Sequence, residues 1–248
     1  RHPSSPTSLT ANPNPPPQVR PTFNPTRAFA DLEKQCDFGA RVPGSQAHAD
    51  CLEWMVQSLE QTADTVFRQE WSQETPFGGP YDFTNVIAYY PGDSSDPVML
   101  GAHWDCRPKA DQDPDPALRD EPVMGANDGA SGVAVLLEIA RGLAENDDRP
   151  PVLLAFFDAE DSGTYNTSSF PHNGWALGSQ YMAANWPSQL PEPDHVIVVD
   201  LVGQDTEHND RLGTPGGSND YPDFRIEGHS LSSAPLLVDR IWSIAEQA

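Results

Sequence analysis

The sequence predicts an α/β protein: a three-layer α/β/α sandwich around a mixed, mostly parallel central sheet. Three observations carry this. Short apolar runs recur along the chain, Val98 to Ala102, Val152 to Phe157 and His195 to Val202, as expected of strands covered on both faces. A strong helical pattern, Gly129 to Leu143, separates the first two, with Val133, Leu136, Leu137 and Ala140 on its buried side. Each apolar run leads abruptly into residues competent for metal or proton chemistry. Open α/β sheets build their sites at such strand ends.

The elements follow in order. Residues 1–25 are rich in Pro, Ser and Thr and read as a flexible arm; residues 26–248 read as a single domain. A helix begins at Pro25 to Phe29, with Phe29 and Leu32 on one side. Gly39 and the run Arg41-Val42-Pro43-Gly44-Ser45 end it. Ser45 is a plausible N-cap for a second helix, Ala47 to Thr62, which buries Cys51, Met55 and Leu59. Asp64 to Trp71 reads as a strand near an edge, and Phe83 to Tyr90 as another, closed by the Pro91-Gly92-Asp93 turn. Arg107 to Pro122 is a loop rich in Asp and Pro that runs over the surface near the strand ends. Another loop spans Gly163 to Asn173, and Trp175 to Asn185 reads as a helix. His195 to Val202 is expected as a central strand, and turns with a short strand follow. Leu231 to Gln247 closes the chain as a helix.

Composition narrows the function. Acidic residues outnumber basic ones 37 to 14, for a net charge of −23, and only Lys34 and Lys109 are lysines. Nucleic acids and anionic membranes are poor partners for such a surface. The acidic surplus fits either a protein working in high salt or an ordinary acidic one. No apolar run reaches the length of a membrane span. The chain starts at Arg1, and a cleaved leader would place it outside the cytoplasm, periplasmic or secreted. The three cysteines form no disulfide framework; Cys36 and Cys51 can pair or remain buried thiols, and Cys106 reads as structural. Trp104, Trp175 and Trp186 read as core rather than pocket.

Four acidic or histidine groups follow strands or precede a helix: His103 with Asp105, Asp128, Asp158-Glu160-Asp161, and Asp200. Histidine nitrogen and carboxylate oxygen suit zinc, and a neighbouring carboxylate can act as general acid or base. Asp128 lies in Gly-Ala-Asn-Asp-Gly-Ala-Ser-Gly, where it can face a metal or cap the following helix. The run FFDAED gathers like charges that a cation would neutralise.

These motifs carry a resemblance. RVPGS before a helix, GAHWDCRP, GANDGASGVAVLLEIAR, FFDAEDSG, WALGSQYMA, VDLVG and EGHSLSSAPLLVDRIW occur in that order between residues 27 and 247. The chain resembles the zinc-dependent aminopeptidase-like family, M28, and within it the glutaminyl-peptide cyclotransferases. The resemblance implies zinc: one ion in a cyclase, two in an aminopeptidase. It implies Asp128 and Asp161 as zinc ligands and Glu160 as general acid/base. His103 and Asp200 match the positions that hold a second zinc in the aminopeptidases. In cyclases the Asp200 position belongs to the proton-transfer network and counts as catalytic. Asp105 would orient His103, and Asp158 would support the ligands from behind. The family's last zinc-binding histidine falls beyond residue 248 and His229 does not match it, so the domain reads as lacking its C-terminal end. The expected activity is conversion of N-terminal glutamine to pyroglutamate, on peptide or protein N-termini. A zinc aminopeptidase is the alternative, and an inactive or non-catalytic module a further one.

Overall fold

A five-stranded sheet in the order β1-β2-β4-β3-β5 forms the middle of the structure. The computed structural model describes residues 22–146, 148–165, 171–202 and 232–245. Its elements are α1 (Pro25–Asp37), α2 (Gln46–Leu59), β1 (Thr65–Thr75), β2 (Gly78–Tyr90), β3 (Val98–His103), α3 (Ala130–Ala144), β4 (Val152–Phe157), α4 (Leu177–Ala184), β5 (His195–Val198) and α5 (Pro235–Ala245). The sheet is mixed. β1–β2 and β2–β4 pair antiparallel, whereas β4–β3 and β3–β5 pair parallel.

β4 shows why the fold has three layers. All six of its residues are buried. Successive side chains point to opposite faces of a strand. Val152, Leu154 and Phe156 join one core with Met55, Val56 and Leu59 of α2 and Val133, Leu136, Leu137 and Ala140 of α3. Leu153, Ala155 and Phe157 join a second core with Met182 of α4 and Leu190. An apolar run without alternation is therefore what a strand sandwiched between helix layers requires. Ser45 caps α2 as expected, its side chain accepting from the His48 amide at 3.1 Å.

Two expectations are corrected and one open alternative is decided. In α1, Phe29 is 59% exposed, and the helix buries Ala28 and Gln35 instead. The helix is tied to α3 by charge: Arg27 pairs with Glu138 at 2.7 Å and Arg141 with Asp31 at 2.6 Å. Apolar spacing alone therefore pointed to the wrong face. β5 is shorter than the run from His195 to Val202 and is the outer strand of the described sheet, with Val196 and Val198 exposed. Cys36, Cys51 and Cys106 are all free thiols. Most of the N-terminal arm, the stretch after Val202 expected to hold turns and a strand, and His229 lie outside the described residues.

Candidate metal and proton-transfer site

The parallel half of the sheet delivers the site. β3 and β4 run in register from Val98↔Val152 to His103↔Phe157, and β5 joins through Gly101↔Val198. His103, Asp158 and Asp200 consequently leave the sheet at one edge. Asp128 arrives from the turn before α3. Gly129, which caps α3, has φ +92°, and a Cβ there would sit 2.7 Å from the Asp105 carbonyl and 3.1 Å from His103 Cε1. Only glycine lets this turn close on the histidine. α3 has no side-chain N-cap. The Asp128 carboxylate instead turns to His103.

His103 is buried at the centre of three carboxylates. Its Nδ1 lies 3.3 Å from Asp105 Oδ1. On the other side, Nε2 lies 2.9 Å from Asp128 Oδ1 and 3.5 Å from Asp200 Oδ1. Burial works against protonating this ring, but the surrounding Asp105, Asp128 and Asp200 outweigh it and hold its pKa well above the ordinary value. Despite these short distances, Nε2 forms no aligned hydrogen bond. The donor atoms of His103, Asp128 and Asp200 all lie within 4.8 Å of one another. A buried imidazole nitrogen without a directed partner, facing two carboxylate oxygens, suits a divalent cation such as zinc. The Asp128 and Asp200 side chains are 44% and 47% exposed, so the cluster is open to solvent and substrate.

Asp105 does more than face the histidine. Its Oδ1 accepts the Glu160 amide at 3.0 Å and its Oδ2 the Asp161 amide at 3.1 Å. One fully buried carboxylate thus fixes both the imidazole and the turn carrying two further acids. Burial pushes the Glu160 carboxyl up to about 7, eased by His103 and reinforced by Asp105 and Asp161. Asp161 is also raised to about 7, by burial first and by Asp128 next. A cation at the cluster acts in the opposite direction and favours the carboxylates. Asp161 lies outside the clustered trio, and Arg107 Nη1 approaches its Oδ1 at 3.2 Å. Asp200 is lowered, chiefly by its contact with His103.

Asp158 sits behind these groups and is fully buried. Its Oδ1 meets His48 Nε2 at 2.9 Å, and its Oδ2 accepts the Thr84 amide at 2.8 Å. The His48 ring stacks on Trp104 with centroids 4.2 Å apart. The turn that follows is held in left-handed backbone: Ala159 has φ +52°, and Leu201, directly after Asp200, has φ +51°. Such non-glycine conformations each cost about 1 kcal/mol and collect at functional sites.

Sequence reasoning placed Asp128 with Asp161, and His103 with Asp200. The structure brings His103, Asp128 and Asp200 together in one cluster, with Asp161 beside Arg107. Three basic residues escaped notice. His48 binds Asp158, Arg107 binds Asp161 and forks onto Asp111, and Arg41 is buried against main-chain carbonyls. The signal was available: these are buried or half-buried bases in a chain with few basic residues, and Arg41 and His48 flank the turn that starts α2. Cys106 is buried, which pushes its thiol up to about 12, far from a nucleophile at neutral pH. Trp104 is core, as expected, whereas Trp175 lies under Arg107, 4.7 Å from the guanidinium.

The clustered donors, with two raised carboxyls beside them, suit metal-assisted acid–base chemistry. Residues 85–224 match peptidase family M28, and the chain belongs to that family. A zinc-dependent exopeptidase from Parabacteroides distasonis has 33% identity and a TM-score of 0.80, with 92% of this chain and 74% of that one covered. A glutaminyl cyclase from Tannerella forsythia has 33% identity and a TM-score of 0.80, over 92% and 73% of the two chains. The glutaminyl-peptide cyclotransferase of Drosophila melanogaster is 25% identical over 170 residues, which is 66% of this chain and 44% of that protein. The chain spans less than half the length of the curated relatives it matches. Among the described residues no helix is long and apolar enough to cross a membrane.

Proposed function

We propose that this protein cyclises the N-terminal glutamine of peptides to pyroglutamate with release of ammonia. The observation that carries this reading is Glu160, its carboxyl raised to about 7 and its backbone fixed by Asp105 beside the cluster of His103, Asp128 and Asp200. One zinc held there would supply the positive charge that polarises the γ-carbonyl. Glu160 takes a proton from the α-amine as that nitrogen bonds to Cδ, the carbonyl carbon of the side-chain amide. It returns a proton to the amide nitrogen as the old carbon–nitrogen bond breaks and ammonia leaves. The nucleophile belongs to the substrate itself, so no second metal and no activated water are needed. The acidic rim of Asp128 and Asp200 favours a cationic N-terminus. Because attack is intramolecular, holding the chain end in the right pose supplies much of the rate.

A zinc aminopeptidase is the second reading. It is favoured by the Parabacteroides exopeptidase, which has the same identity and TM-score as the Tannerella cyclase. Mass spectrometry of a glutamine-led peptide incubated with the zinc-loaded chain decides between them. Loss of one ammonia is the expected result. Loss of the whole first residue would establish the peptidase, and an unchanged peptide would overturn both readings.

A further inference from the structure

Arg41 is fully buried and its guanidinium makes no ion pair with any carboxylate among the described residues. Its donors go to main-chain carbonyls: Nε to Trp104 at 3.0 Å, Nη1 to Met124 at 3.0 Å and Nη2 to Gly125 at 2.6 Å. Its own carbonyl accepts the Cys106 amide at 3.3 Å. A charge taken out of water without a counter-ion is costly, and a residue so placed needs a return on that cost. The return is visible in what the three carbonyls belong to. Trp104 stands between His103 and Asp105. Met124 and Gly125 open the turn that ends in Asp128, and the Gly125 carbonyl also accepts the first amide of α3, Ala130, at 3.1 Å. The two segments bring in the imidazole and the carboxylate whose atoms meet at 2.9 Å. Strand pairing holds the first segment only as far as the Trp104 amide, which donates to the Phe157 carbonyl at 3.0 Å, and the turn before α3 lies outside the sheet.

We propose that Arg41 is a positioning residue that sets the separation of His103 and Asp128 and thereby the affinity and geometry of the metal site. Its rigid planar fork holds carbonyls at fixed, widely spaced positions, a geometry the compact ammonium of lysine does not reproduce. The proposal rests on the reading of His103, Asp128 and Asp200 as metal ligands, and is independent of which reaction the metal serves.

The test compares the full chain with Arg41→Lys and Gly125→Ala. Lysine keeps the charge and loses the fork. The added Cβ of Gly125→Ala, at φ +67°, would stand 2.6 Å from Cys106 Cβ and 2.8 Å from both Arg41 Nη2 and the Asp128 carbonyl, so it disturbs the same junction while keeping the arginine. Zinc affinity is measured by competition with a chelator, the visible absorption of cobalt bound in place of zinc reports ligand geometry, and melting of the zinc-free protein reports folding. Zinc binding weaker by about 10- to 100-fold for Arg41→Lys, with an altered cobalt spectrum and a folded zinc-free chain, is the expected result. Gly125→Ala should move the same way. Unchanged zinc affinity and cobalt spectrum in folded variants would overturn the proposal, leaving Arg41 a purely structural group. Failure of both variants to fold would overturn it too, because a positioning role requires the fold to survive. Failure of the unsubstituted chain to bind zinc would instead bring down the metal-site reading and Arg41's role with it.

Discussion

The two halves of the sheet use the same β geometry for opposite ends. β1 and β2 are long, 11 and 13 residues, and pair antiparallel almost throughout, from Thr65↔Tyr89 to Gln73↔Tyr81. No cluster of metal-competent side chains lies on them among the described residues. β3, β4 and β5 are short, six, six and four residues, and run parallel to one another. His103, the Asp158–Asp161 acids and Asp200 lie at their carboxyl ends, and Asp128 reaches the same edge from the turn before α3. The difference teaches that direction, rather than length or composition, makes the site: parallel neighbours must all finish at the same edge, so their exit residues converge. The antiparallel half serves as a support. Thr84 and Asn85 of β2 bind the carboxylate and the amide of Asp158, anchoring the exit of β4 from the side.

That contrast can be broken most severely at the parallel edge. Glu160→Gln should lower the rate of cyclisation by roughly 10²- to 10⁴-fold while zinc binding persists, because the proton carrier is lost and the cluster is not. Turnover and zinc stoichiometry measured on the same sample check this. A smaller but global effect is expected one layer back. Asp158→Ala strands buried His48 and the Thr84 amide, so urea unfolding should show a loss of about 3–5 kcal/mol, as when one partner of a buried pair is removed. Chelation of zinc comes next. Ligand present at 100 times its dissociation constant stabilises by roughly 2.7 kcal/mol, so the melting temperature should fall by the corresponding amount when the metal is stripped and recover when it is returned. The smallest effect should come from the antiparallel edge. Arg68 pairs with Glu53 at the surface, where both side chains keep contact with water. Arg68→Ala should cost within about 1 kcal/mol and leave turnover unchanged. A large loss of activity there would refute the division of labour between the two halves.

Much of this was legible along the chain. The FFDAED run, the glycine-flanked Asp128 and the HWD sequence after β3 are local patterns in which residue type and strand exit coincide, and they stand where expected. The meeting of His103, Asp128 and Asp200 was not legible from local pattern, since the three lie far apart along the chain. Nor was the contact of Arg107 with Asp161, which spans 54 positions. The exposed Phe29 failed for a related reason. Helical spacing marks an apolar side, but two arginine–carboxylate pairs between α1 and α3 decided which side docks.

The sequence by itself therefore determined the layers, the order of most elements and the identity of the acids and histidine at the strand ends. Periodicity and abrupt changes from apolar to polar are properties of neighbouring residues. Only the tertiary structure decided that His103, Asp128 and Asp200 meet, that Asp105 holds both the histidine and the Glu160 turn, and that Arg41 stitches the ligand-bearing segments together. Those contacts join residues tens of positions apart. They are set by strand direction and by burial of charge, neither of which any local stretch of the chain encodes.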